Sequence, residues 1–135
     1  MPLRRFAAVA LVLAAAAASA CTAPRVGVVE SRRVLRESVL ALTYQRQLDD
    51  REKAMAADLR LLSGQLSAED LEARRQSYLK DLTEMKQSLE TTLNDRIREA
   101  VQQVAKRRRL RIVLVKESVN LGGIDVTDDV IAQLK

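Results

Sequence analysis

The chain has 135 residues, with 23 Lys and Arg against 18 Asp and Glu, one cysteine, no histidine and no tryptophan. A single thiol excludes an internal disulfide, and without histidine the usual nucleophile–base and metal-ligand constellations are missing, so neither an enzyme nor a metal or cofactor is expected. With only two tyrosines and one phenylalanine, a monomeric core would be short of large side chains, which points to self-association or to an elongated helical shape.

Residues 1–20 have the layout of a secretory signal peptide. Arg4 and Arg5 make a positive start, Phe6 to Ala17 an apolar run, and Ala18-Ser19-Ala20 a small-residue cleavage site. The run is short of the roughly 20 apolar residues a membrane span needs. Cleavage leaves 21 Lys and Arg against 18 Asp and Glu, and residues 21–135 form a single small domain. Two readings of Cys21 stay open. It is the lipid-attachment residue of a bacterial lipoprotein, or ordinary cleavage leaves it as a free thiol. The short leader and the sole cysteine favour acylation, whereas Ala18 stands where lipoprotein leaders more often carry Leu. Thr22, not Asp, follows the cysteine, so no familiar inner-membrane retention signal is present. The expected location is the periplasm, with an outer-membrane anchor if Cys21 is acylated, since several acyl chains on one residue hold firmly.

The β-branched run Val26, Val28 and Val29 predicts a short strand, which needs a partner elsewhere. From Ser31 to about Arg109 there is no proline and one glycine, Gly64. Leu48, Met55, Leu59, Leu62 and Leu66 repeat at coiled-coil spacing, and so do Leu71, Tyr78, Leu82, Met85 and Leu89. Between them Gly64 suits a helix C-cap, and Ser67 with Asp70 resembles a capping box. The pattern predicts helices over 32–63 and 68–108 that fold back near 64–67 as an antiparallel hairpin, about 48 and 61 Å long at 1.5 Å per residue. Leu89, Leu93, Ile97 and Val101 then step by four, so the stripe winds around the helix and should meet more than one neighbour where the arm joins a body.

The run Ile112, Val113, Leu114 and Val115 predicts a buried strand, the partner of Val26–Val29. A third short strand could follow at Ser118–Leu121. Gly122-Gly123 predicts a turn, and the last segment a helix capped by Thr127 or Asp125, with Asp128 and Asp129 favourable to its dipole. Capping explains these aspartates better than metal ligation, and no Gly-Lys-Ser/Thr follows the glycine pair to make a phosphate loop. The fold class is therefore α+β: a small β body (25–44 and 110–135) of about three short strands plus a C-terminal helix, with a coiled-coil arm (45–109).

Arg32, Arg33 and Arg36 at the start of the hairpin, and Lys106, Arg107, Arg108 and Arg109 at its end, meet at its base beside Arg111. They form a candidate cationic contact for acidic unfolded clients or anionic lipid, or a solvated face with local acidic partners. Nucleic acid is not expected, because the leader exports the chain and no aromatic platform accompanies the basic run.

The segments RVGVVESRRVLRES and LRIVLVKESVNLGGIDVTDDVIAQLK resemble the first strand and helix start, and the closing strands, turn and terminal helix, of the Skp/OmpH family of periplasmic outer-membrane-protein chaperones. The order of leader, strand, hairpin, strands and helix spans the whole chain, although the hairpin is short for the family and Cys21 suggests an anchor that its best-known members lack. The resemblance implies a homotrimer whose arms enclose a cavity for unfolded outer-membrane proteins, with no catalysis. A structural lipoprotein acting as a coiled-coil spacer is the alternative, and the terminal Lys135 keeps it open.

Overall fold

Two valine-rich runs some eighty residues apart lie side by side. Strand β1 (Val26–Val29) is the centre of a three-stranded sheet of order β2-β1-β3, with β2 (Ile112–Val115) and β3 (Ile124–Asp125) parallel to it on either side. The register pairs Val26 with Ile112 and Val29 with Val115. The structure is a computed structural model that describes residues 25–135; the leader and Cys21 lie outside the described residues. Parallel neighbours need a crossover connection, and between β1 and β2 that crossover is the whole helical arm.

The arm consists of α1 (Ser31–Glu37), α2 (Val39–Leu62) and α3 (Ala68–Arg108). One continuous helix over 32–63 is the sequence expectation; the chain instead breaks at Ser38, which is extended (φ −74°, ψ 136°) and fully buried. Its N–H closes α1 onto the Val34 carbonyl, and its hydroxyl accepts from the Ala41 N–H at 3.3 Å as the N-cap of α2. The Leu40 N–H, one of the donors a helix start leaves unpaired, donates to the Leu134 carbonyl at 3.1 Å. The break is thus fixed by the docked C-terminal end of the chain.

At the other end α2 closes at Ser63, and Ser67 caps α3 by accepting from the Asp70 N–H at 3.1 Å. Gly64 is not the C-cap: Ser63 holds that position in right-handed conformation, and among the described glycines only Gly122 and Gly123 have positive φ. Asp58 meets Arg74 and Tyr78 across the turn, so the chain reverses between Ser63 and Ser67. α3 spans 41 residues and ends at Arg109, which is left-handed (φ 53°) and donates its N–H to the Ala105 and Lys106 carbonyls.

The core is one cluster of Val29, Val34, Ala100, Val104, Val126, Val130 and Leu134, with Leu40, Ile97, Val101, Leu110, Val113 and Ile131 packed against it. It lies where the sheet, α1, the last turns of α3 and α4 (Thr127–Gln133) meet. Ile97 and Val101 of the winding stripe reach this core, and Ala100 and Val104 beside them are its buried members on α3.

Two expectations for the closing segment fail for topological reasons. Ser118–Leu121 is not a strand: residues 116–123 carry a 3-10 turn (Lys116–Ser118) and pass from one edge of β1 to the other, and the third strand is Ile124–Asp125. Gly123 makes that passage possible. It has φ +90°, and a Cβ on it would stand 2.6 Å from Val28 Cγ1. Nor is β2 buried. The sheet order puts it at an edge. Alternation along the strand puts Gly27, Val29, Val113 and Val115 on one face and Val26, Val28, Ile112 and Leu114 on the other. The helices cover only the first face; on the second the loop at Gly123 covers Val28, while Ile112 is 53% and Leu114 43% exposed, and Val115, the last residue of this edge strand, is exposed although it lies on the first.

Candidate functional site

The surface available to a partner has three parts: the arm, the uncovered face of the sheet, and the charged base where they join. In the arm the expected seam is in place. Met55 is buried (4% exposed). Leu48, Leu59 and Leu62 of α2, and Leu71, Tyr78, Leu82, Met85 and Leu89 of α3, are half-buried, and Leu66 at the tip is exposed. A seam this narrow leaves Leu61, Leu79 and the alanines Ala54, Ala56 and Ala57 facing solvent. A polar latch fixes the pairing of the two helices near the tip. The Tyr78 hydroxyl donates to Asp58 Oδ2, Arg74 Nε donates to the same hydroxyl at 3.0 Å, and the Arg74 guanidinium sits 4.9 Å from the Tyr78 ring centroid. The Asp58 carboxylate, as acceptor, holds the Tyr78 pKa above its usual value. The other ion pairs of the arm, such as Lys80–Glu84 and Lys86–Glu90, are exposed pairs within one helix and contribute little.

At the carboxyl end of the sheet, β1, β3 and α4 are tied by one network. Asp125 Oδ1 accepts from the Thr127 hydroxyl (2.6 Å) and the Thr127 N–H (3.0 Å), and Asp125 Oδ2 accepts from Lys116 Nζ at 3.0 Å. The Glu30 N–H donates to the Thr127 hydroxyl oxygen at 3.0 Å. Val126, not Thr127 or Asp125, holds the N-cap position of α4, but Asp125 supplies the capping acceptor from one residue earlier. The two Thr127 donors, then Lys116, hold the Asp125 carboxyl down at about 2.

The seven basic candidates divide. Arg33 is bidentate to Glu37 (3.0 and 2.9 Å) and also reaches Asp128 at 2.8 Å, and the two carboxylates raise its pKa further. Arg108 pairs with Asp129 at 2.8 Å. Asp128 and Asp129 are neighbours at the start of α4, so the two helix ends do meet there, and two of the seven cations are neutralised where they meet. Arg32, Arg36, Lys106, Arg107 and Arg109 are exposed and have no ion pair among the described residues. Arg25 and Arg111 lie next to each other, with the Arg111 N–H donating to the Arg25 carbonyl at 3.0 Å.

Sequence reasoning missed the exposed apolar surface of the body. Ile112, Leu114 and Val115 were legible as a strand but not as an uncovered one, and Leu121, in the crossover loop, is 93% exposed. A signal was present: parallel strands with continuous apolar runs are normally covered on both faces, and the sequence holds helices enough for only one.

Comparison with known proteins places the chain. A family described as outer membrane protein (OmpH-like) matches residues 64–134, from the turn of the arm through all of α3, β2, β3 and α4. Among solved structures, a candidate outer membrane chaperone (OmpH-like) from Caulobacter crescentus CB15 is 18% identical, with 84% of this chain and 85% of that chain covered and a TM-score of 0.49. A search of curated proteins finds no match. The matched segment takes in more than half of the sequence, and the chain belongs to the OmpH-like outer membrane protein family.

Proposed function

We infer that this protein is a holdase chaperone of the bacterial periplasm, working without ATP, that keeps unfolded outer-membrane proteins from aggregating. The observation that carries the reading is the pairing of an uncovered apolar sheet face with an arm that leaves the same body. A parallel sheet exposing Ile112 and Leu114 is unfinished as a monomer. A second copy of the same surface is its natural cover, since an exposed apolar strand edge pairs readily with another chain. Copies joined through their bodies would carry their arms side by side, each with an α2 of 24 residues, about 36 Å long, around a common space. A homotrimer is the assembly the family resemblance implies. An unfolded chain needs many weak, adaptable contacts instead of one shaped pocket, and the outward Leu61, Leu79 and alanines of the arm suit that. Acylated Cys21 would tether the assembly to the outer membrane.

The test is light scattering from an outer-membrane β-barrel protein diluted out of urea in the presence of the purified protein. A holdase suppresses scattering at near-stoichiometric ratios. A structural spacer leaves it unchanged, and that outcome would overturn the reading.

A further inference from the structure

The charges of the body are sorted by end. All three strands are parallel, so their amino ends share one edge and their carboxyl ends the other. The carboxyl edge holds Glu30, Lys116 and Asp125 in their mutual network. The amino edge is different. Arg25 precedes β1 and Arg111 precedes β2, joined through the 3.0 Å bond between their backbones. Arg109 stands two residues before Arg111 in a left-handed turn that ends α3. Lys106 and Arg107 lie on the last turn of that helix. All five are exposed, and none has an ion pair among the described residues. The two stretches that build this edge carry no counter-charge of their own: no Asp or Glu occurs in residues 1–29 or 100–116. Basic residues do favour a helix C-terminus, but that accounts for Lys106 and Arg107 and not for Arg25 or Arg111.

We propose that the amino edge of the sheet, presenting Arg25, Arg109 and Arg111 with Lys106 and Arg107, is a docking face for an anionic lipid surface. A membrane is favoured over an acidic polypeptide by where the chain enters the body. Arg25 follows Cys21 by four residues, about 14 Å when extended, and the apolar run of residues 6–17 lies just before that. A lipid on Cys21, or a retained leader, holds this edge within a few residues of the bilayer. Among the described residues no helix is long and apolar enough to cross a membrane. The charges of the face are separate, exposed side chains, which suits a headgroup layer read by charge density. The inference does not rest on the chaperone reading.

The test is sedimentation of the full chain with vesicles of phosphatidylcholine alone or mixed with phosphatidylglycerol. The leader or lipid contributes to both, so the quantity read is the preference for the anionic vesicles. The wild type prefers them, and the preference falls as salt rises. R25Q/R109Q/R111Q loses it by roughly a hundredfold, about fivefold per cation. The control K53Q/R60Q/K80Q, with the same change of net charge on the arm, keeps most of it. R25K/R109K/R111K also keeps it, because a lipid surface reads the charge and not the guanidinium fork; this conservative variant and the salt titration decide the matter if the glutamine variant does not fold. Equal losses in the two glutamine variants, or no anionic preference in the wild type, would overturn the proposal. So would a glutamine variant that still prefers anionic vesicles but no longer binds poly-glutamate or suppresses client aggregation, since the edge would then serve acidic chains.

Discussion

In the body, Val34, Val104, Val126 and Val130 are enclosed on all sides around one small core, whereas between Ala41 and Ala100 only Met55 is buried and the rest of the seam is half-exposed. The body is held by close approach of few residues from many elements. The arm is held by many similar, shallow contacts between two helices and by one polar latch. A perturbation should therefore be expensive and global in the body, and cheap and local in the arm.

The sharpest contrast is between glycines. Gly123→Ala places a Cβ 2.6 Å from Val28 Cγ1 at φ +90°, and strain plus overpacking should cost about 3 kcal/mol, read as a fall in the denaturation midpoint. A wild-type midpoint would mean the crossover is not packed on β1. Next come the buried side chains. Val104→Ala removes two carbons and leaves a cavity, a loss of about 2 kcal/mol that lowers protection from hydrogen exchange throughout the body. Met55→Ala should cost about 2 kcal/mol, the low end for a buried methionine because the seam around it is half-exposed, and lower protection in α2 and the facing part of α3 only. Loss of body protection in the Met55 variant would break the division between the two regions.

Smaller still is the acid response of the carboxyl-edge network. Asp125 is held at about 2 in the folded protein, against about 4 in an unfolded chain. Its contribution to stability is complete above about 4 and is lost as pH falls through about 2. Because the group is half-exposed the effect is modest. Asp125→Asn should flatten the stability–pH curve in that window, and an unchanged slope would remove Asp125 from the network's energetics. At the end of the series, Gly64→Ala should leave stability unchanged or raise it by about 0.5 kcal/mol, since a Cβ there meets nothing within 4 Å and the backbone does not require glycine.

What was legible in the sequence follows the same division. The bounds of β1, β2 and α3, the Ser67–Asp70 cap and the seam from Leu48 to Leu89 are set by neighbours in the chain, so periodicity and capping rules found them. Ser38 was hidden because its break depends on the Leu134 carbonyl, ninety-odd residues away. The site of β3 was hidden because the chain after Val115 must first cross β1. Arg33 had Glu37 four residues on as the kind of local acidic partner the sequence allowed, but only α4 placed Asp128 and Asp129 beside Arg33 and Arg108. The uncovered face of β2 was hidden for another reason: a continuous apolar run signals burial without naming the chain that supplies the cover.

That cover is the centre of the account, in which the bodies assemble and the assembled arms hold the client. The most direct test is light scattering from a diluted outer-membrane protein in the presence of I112E/L114E, with the mass of the variant measured in the same buffer. The account predicts a folded, helical monomer that no longer suppresses aggregation at the ratio where the wild type does. A variant that is monomeric and protects as well as the wild type would contradict it, because one arm alone would then suffice.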